Sequence, residues 1–137
     1  MNKTLLTELF STDEDLLTKY HILAPDTAEN CASRTISDMK GNYVHSYEKD
    51  GEIIGYYGIN GNQLTGFFIV PEHRNSLVLC DFWNKIESNF NQPHYFCGLY
   101  TKNTRAIEFI RKKSTEEFAV PTHDGIFFKI KRESKCL

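Results

Sequence analysis

Three short strand-forming runs in the middle of the chain set the narrowest limit on its fold. Residues 42–47, 52–59 and 63–70 are rich in Tyr, Ile, Val and Phe. The connectors between them, Lys49-Asp50-Gly51 and Asn60-Gly61-Asn62, supply residues that tolerate positive φ in tight hairpins. The pattern predicts a three-stranded antiparallel meander. Pro71 follows the third run, in keeping with the exclusion of proline from sheet interiors.

A meander needs helices to cover it, and the flanks supply them. Ser11-Thr12-Asp13-Glu14 has the S-x-x-E form of a capping box and predicts a helix over 12–22, stopped before Pro25. A second helix is expected around residues 28–38. Leu79, Trp83, Ile86 and Phe90 recur at i, i+4, i+7 and i+11, the stripe of an amphipathic helix packed on a sheet. Pro93 closes that segment, and 94–100 reads as another strand. Asn103 is a good N-cap for a helix over 104–113, whose Ala106, Phe109 and Ile110 share one face and whose end is basic. Residues 117–120 and 125–130 form a closing hairpin turned at 121–124. The class is therefore mixed α/β (α+β), a largely antiparallel sheet flanked by helices, in one domain over 1–137 with its core at about 4–132.

Composition excludes several functions. With 137 residues, 40% of them hydrophobic and 25% charged, the chain has the balance of a soluble globular protein. Its longest apolar run, residues 65–71, is far short of the roughly 20 residues that span a bilayer. The start, Met-Asn-Lys-Thr-Leu-Leu-Thr-Glu, has no signal-peptide pattern, so a cytoplasmic location is expected, with no membrane partner. Cys31, Cys80, Cys97 and Cys136 form no C-x-x-C pair and have no histidine at ligand spacing, so no metal site is expected and the thiols are read as reduced. Cys80 and Cys97 lie in apolar stretches and read as small core residues.

The net charge of −2 is unevenly divided. Residues 1–60 carry 5 basic and 10 acidic side chains, whereas residues 102–137 carry 9 and 5. The basic third favours an anionic ligand. It lacks the strongly basic, aromatic-interleaved pattern of a nucleic-acid module.

Two stretches resemble the GCN5-related N-acetyltransferase (GNAT) superfamily. Residues 64–74, ending Ile69-Val70-Pro71-Glu72-His73-Arg74, look like the V-x-P-E-[YH]-R sequence that closes the strand this family counts as its fourth. Residues 103–113, with Asn103, Arg105, Ala106, Ile107 and Lys112, are similar to its N-x-R-A-I-x-x-Y-x-K after the fifth. The resemblance implies acetyl-CoA as cosubstrate. Its pantetheine arm would pair with the backbone of Phe68, Ile69 and Val70, and Asn103 would contact the same arm. Its diphosphate would meet the turn Arg74-Asn75-Ser76-Leu77-Val78-Leu79 and the helix amides that follow. An amine, small or on a protein, would attack the thioester carbonyl. The acidic first third would then meet a cationic acceptor and the basic last third a polyanionic cosubstrate.

The departures are specific. The family's diphosphate loop reads Q/R-x-x-G-x-G/A, and Leu77 and Leu79 stand at its glycine positions, which predicts a narrowed loop or another backbone path. The family's tyrosine acid falls at Ile110, and its following Gly-Phe is replaced by Ser114-Thr115, which predicts a shifted exit from the helix. Tyr100 and His73 are the substitute proton-transfer candidates, and His123 and Asp124 sit where the family often lines its acceptor site. Two functions follow: an N-acetyltransferase, or a GNAT-fold binding or structural protein that has lost catalysis, such as the short virion proteins of tailed phages. Trp83 and the strand edges leave room for a protein partner or a homo-oligomer.

Overall fold

The computed structural model describes residues 2–13, 27–38, 43–101, 103–120 and 125–133. Among them the order is α1 (Lys3–Ser11), α2 (Ala28–Asp38), β1 (Tyr43–Lys49), β2 (Glu52–Asn60), β3 (Gln63–Ile69), a 3-10 turn (Pro71–His73), α3 (Ser76–Glu87), β4 (His94–Tyr100), α4 (Thr104–Arg111), β5 (Ser114–Val120) and β6 (Gly125–Lys131). The expected meander is β1-β2-β3, antiparallel throughout. Its first hairpin turns on Asp50 (φ 53°) and Gly51 (φ 82°), both left-handed as a type I′ turn requires. The six strands form one sheet in the order β1-β2-β3-β4-β6-β5, and only β3 and β4 run parallel.

Alternation along the strands gives each face its own cover. Tyr56 of β2 and Phe68 of β3 meet Phe10 of α1 at centroid distances of 5.9 and 5.4 Å. On the opposite face Tyr47 and Tyr57 meet Phe82 of α3 at 5.0 and 5.9 Å. No helix among the described residues is long and apolar enough to cross a membrane.

Several sequence expectations are corrected here. Ser11 ends a helix instead of capping one. Asn2 is the N-cap of α1, accepting from the Leu5 amide at 2.9 Å, and the buried stripe Leu6, Leu9 and Phe10 lies before Ser11. The hydroxyls of Ser11 and Thr12 bond back to the Thr7 and Leu9 carbonyls (2.7 and 2.6 Å), satisfying the last turn. The rest of the expected 12–22 helix, from residue 14 on, lies outside the described residues. α3 starts earlier than expected, at Ser76, because Asn75 caps it, and it ends at Glu87, so Phe90 packs from the loop beyond. β5 begins at Ser114, since α4 ends at Arg111, and Arg111 pairs with Glu117 at 3.0 Å. Trp83 is 1% exposed and is core, so its ring is not available to a partner.

That indole anchors a buried polar chain. Its Nε1–H donates to the Tyr95 hydroxyl (2.9 Å), which donates to a Glu87 carboxylate oxygen (2.6 Å). The second oxygen of Glu87 accepts the Glu133 amide at 3.1 Å. Arg132 adds its own amide to the Pro93 carbonyl (2.7 Å) and its guanidinium to the Phe90 carbonyl. These bonds fasten the C-terminal end of α3 to the start of β4 and to the segment after β6.

Burial raises the hydroxyls of Tyr95 and Tyr47 well above the ordinary tyrosine value, and pushes Tyr56 up to about 12. It also pushes the Cys97 thiol up to about 12, so that thiol stays protonated and inert. The unfolded chain releases tyrosine protons near about pH 10, whereas the native chain holds them. The tyrosines' contribution to stability is therefore fully present below that pH and is lost as pH rises through it. Tyr95→Phe removes the acceptor of Trp83 and one donor to Glu87. Urea unfolding at neutral pH is expected to show a loss of about 1–3 kcal/mol, with a smaller alkaline decline than in the wild type.

Candidate active site

β3 and β4 pair at only two positions, Gln63↔Phe96 and Leu64↔Cys97. Beyond these each strand is held on its far side. β3 stays on β2 as far as Gly55↔Ile69, and β4 stays on β6 from His94↔Lys131 to Tyr100↔Gly125. The two strands therefore diverge into a wedge that opens toward their C-terminal ends. Thr65, skipped in the β2 register between Leu64 and Gly66, sits where the strands part. Its buried hydroxyl finds no hydrogen-bond partner among the described residues.

Register decides which backbone groups line the wedge. The Val70 amide donates to the Ile54 carbonyl at 2.9 Å, so Val70 faces β2. By antiparallel alternation Phe68 also faces β2, while Phe67 and Ile69 turn their amides and carbonyls toward β4. Gly55 permits the close approach that holds this end of β3. A Cβ there would stand 2.3 Å from the Phe68 carbonyl oxygen and 3.3 Å from the Ile69 Cα.

After β3 the chain turns through Pro71–His73, with the His73 amide on the Val70 carbonyl (3.0 Å) and the Arg74 amide on that of Pro71 (3.2 Å). Leu77 points into solvent at 84% exposure, and Leu79 packs partly buried against the core, so Leu77 does not fill the turn. Asn75 caps α3 by accepting the Val78 amide at 3.1 Å, and its carbonyl takes the Leu79 amide at 2.9 Å. The first-turn amides of Ser76 and Leu77 have no intrahelical acceptor and carry the positive end of the helix dipole. Arg74 folds back over the strand. Its Nε–H donates to the Ile69 carbonyl (2.7 Å), its Nη1 pairs with buried Asp13 (2.7 Å), and its guanidinium lies 5.2 Å from the Phe68 ring centre.

Aromatic side chains gather where β3, α3 and α4 meet. Phe67 meets Trp83 edge-on at 5.5 Å, and Trp83 meets Phe109 of α4 at 5.2 Å. The Lys113 ammonium covers Trp83 and Phe109 at 5.7 and 5.5 Å. Asn103 caps α4 through the Ala106 amide (3.3 Å).

Phe68, Ile69 and Val70 are buried at the end of β3, and residues 74–79 form the turn and first helical turn beside them. Asn103 opens α4 after β4. Ile110 is fully buried and belongs to the core, so that position holds no acid. Tyr100 is half exposed at the end of β4, and His73 is half-buried in the turn. His123 and Asp124 lie outside the described residues. Sequence reasoning passed over Asp13, Thr65, Phe67 and Gly55. Only Gly55, a glycine inside an aromatic, β-branched strand, carried a readable signal, that of close backbone approach.

No protein-family model matches the chain, and no curated protein sequence does. Solved structures match it closely in shape. An acetyltransferase from Thermus thermophilus superposes with a TM-score of 0.75 at 12% identity, over 94% of this chain and 90% of that one. A GCN5-related N-acetyltransferase from Rhodopseudomonas palustris gives 0.62 at 12%, over 94% and 89%. The microcin C7 self-immunity acetyltransferase, solved with acetyl-CoA and AMP, gives 0.62 at 8%, over 94% and 86%. The fold is that of the GCN5-related N-acetyltransferases, in a divergent form.

Gly55→Ala tests the close approach. The added methyl must displace the Phe68–Ile69 backbone, so urea denaturation is expected to show a loss of about 1–3 kcal/mol.

Proposed function

We propose that this chain is an acetyl-CoA-dependent N-acetyltransferase acting on an amine. The observation that carries the reading is the wedge between β3 and β4, with polar backbone of β3 turned into it and the N-terminus of α3 near its open end. Three features support the fit of acetyl-CoA: the orphaned Thr65 hydroxyl where the wedge begins, the outward Leu77, and the first-turn amides of Ser76 and Leu77. Acetyl-CoA would supply a thioester-activated acetyl group.

The chain's own residues would do the rest. Phe67 and Ile69 offer strand-like pairing to an extended amide-bearing arm, and Phe68 and Val70 hold that edge against β2. The turn Arg74-Asn75 and the helix start Ser76-Leu77-Val78-Leu79 would receive the diphosphate. Asn103 would contact the arm from α4, whose Phe109 forms an apolar wall with Phe67 and Trp83. Tyr100, at the end of β4, is the candidate proton donor to the departing thiolate, and His73 the second.

One observation favours a second reading. Ile110 fills the core where the resemblance expects a catalytic tyrosine, as in a GNAT-fold binding or structural protein that has lost catalysis.

Thermal unfolding with and without acetyl-CoA tests the first reading. A ligand at 100 times its dissociation constant adds about 2.7 kcal/mol to the native state, a visible rise in Tm. No rise with millimolar acetyl-CoA or CoA would reject it. A rise with no thiol release across a panel of amines would establish the binding-protein reading instead.

A further inference from the structure

The wedge edge is already occupied from within. Of the β3 groups turned toward β4, the Ile69 carbonyl takes the Arg74 Nε–H at 2.7 Å. The same guanidinium is held at its other end by the Asp13 carboxylate, 2.7 Å away and 7% exposed, just after the C-cap of α1. The Phe68 ring beneath it completes a three-sided seat. A planar guanidinium presents several donors in a rigid fork, so it can grip a carbonyl and a carboxylate at once. A ligand adding to β3 as an extra strand needs the Ile69 carbonyl for itself.

We propose that Arg74 is a latch on the ligand-binding edge of β3, closed by Asp13 and opened when CoA displaces it from Ile69. This rests on the acetyl-CoA reading above. On opening, the guanidinium exchanges the Asp13 carboxylate for the anionic diphosphate of the ligand, because Arg74 stands two residues before the first helical amide at Ser76. Closed, it satisfies a carbonyl that the divergence of β3 and β4 would otherwise leave unpaired, and it ties α1 to the end of β3. Arg74 is thus a positioning residue that sets cosubstrate affinity.

The test compares two ligands by calorimetry: CoA, and pantetheine, which has the same arm without phosphates. Asp13→Asn loosens the hold with little change in shape, and is expected to bind both ligands about tenfold more tightly than the wild type, the worth of one charge-assisted hydrogen bond. Arg74→Met opens the edge but removes the cation, so pantetheine gains about tenfold and CoA gains less. A merely structural Arg74 would not separate the two ligands. Native circular dichroism and urea midpoints confirm that each variant is folded. Should either fail to fold, Arg74→Lys keeps the charge, loses the two-pronged grip, and is expected to show the pantetheine gain. If wild type and variants bind alike, or the variants bind pantetheine more weakly, the latch is wrong and the acetyl-CoA reading stands. If none of the proteins binds either ligand, the acetyl-CoA reading fails and the latch falls with it.

Discussion

Two parallel residue pairs join the halves of the sheet, and the rest of the structure is arranged around their brevity. Each strand is committed elsewhere, β3 to β2 and β4 to β6, so neither can swing over to extend the ladder. Divergence turns the polar backbone of Phe67 and Ile69 into a gap, and backbone groups left without partners away from water are costly. Part of that demand is met by Arg74 on the Ile69 carbonyl. The remainder makes the gap receptive to something that can pair like a strand.

Holding such a gap open requires a rigid frame. On one side Gly55 lets β2 grip the end of β3 at close range. On the other, the Trp83–Tyr95–Glu87 chain fixes β4 against α3, and the amide of Glu133 closes it from beyond β6. The buried carboxylate of Glu87 accepts hydrogen bonds on both oxygens, which a group 5% exposed requires. The stacked rings of Phe90 and Tyr95, 4.3 Å apart, support the same corner. The wedge is thus a property of packing on its two outer flanks.

The meander, the helix over Ala28–Asp38, the strand His94–Tyr100 and the Asn103 cap were legible because each depends on local chemistry: turn residues, periodicity and capping. The first helix was misplaced because two capping patterns overlap. Ser11 to Glu14 has the form of a start, yet Asn2 and the Leu6, Leu9 and Phe10 stripe make Ser11 an end. The candidate site was legible as a segment, residues 68–79, but not as an arrangement. Register, a long-range quantity, decides that Val70 faces β2 while Ile69 faces the wedge. Asp13 reads in sequence as an ordinary first-turn acid, and only the folded chain brings it to Arg74 from far along the sequence.

By itself the sequence determined the element types, the hairpin turns and two motif-bearing segments in the right order. These follow from short-range sterics and from hydrophobic periodicity, which neighbouring residues carry. Tertiary structure decided where β3 and β4 part, which carbonyls face the gap, and that Arg74 is seated on Ile69. Those outcomes depend on how distant strands and helices compete for the same backbone groups and the same interior volume. No local pattern encodes the result of that competition.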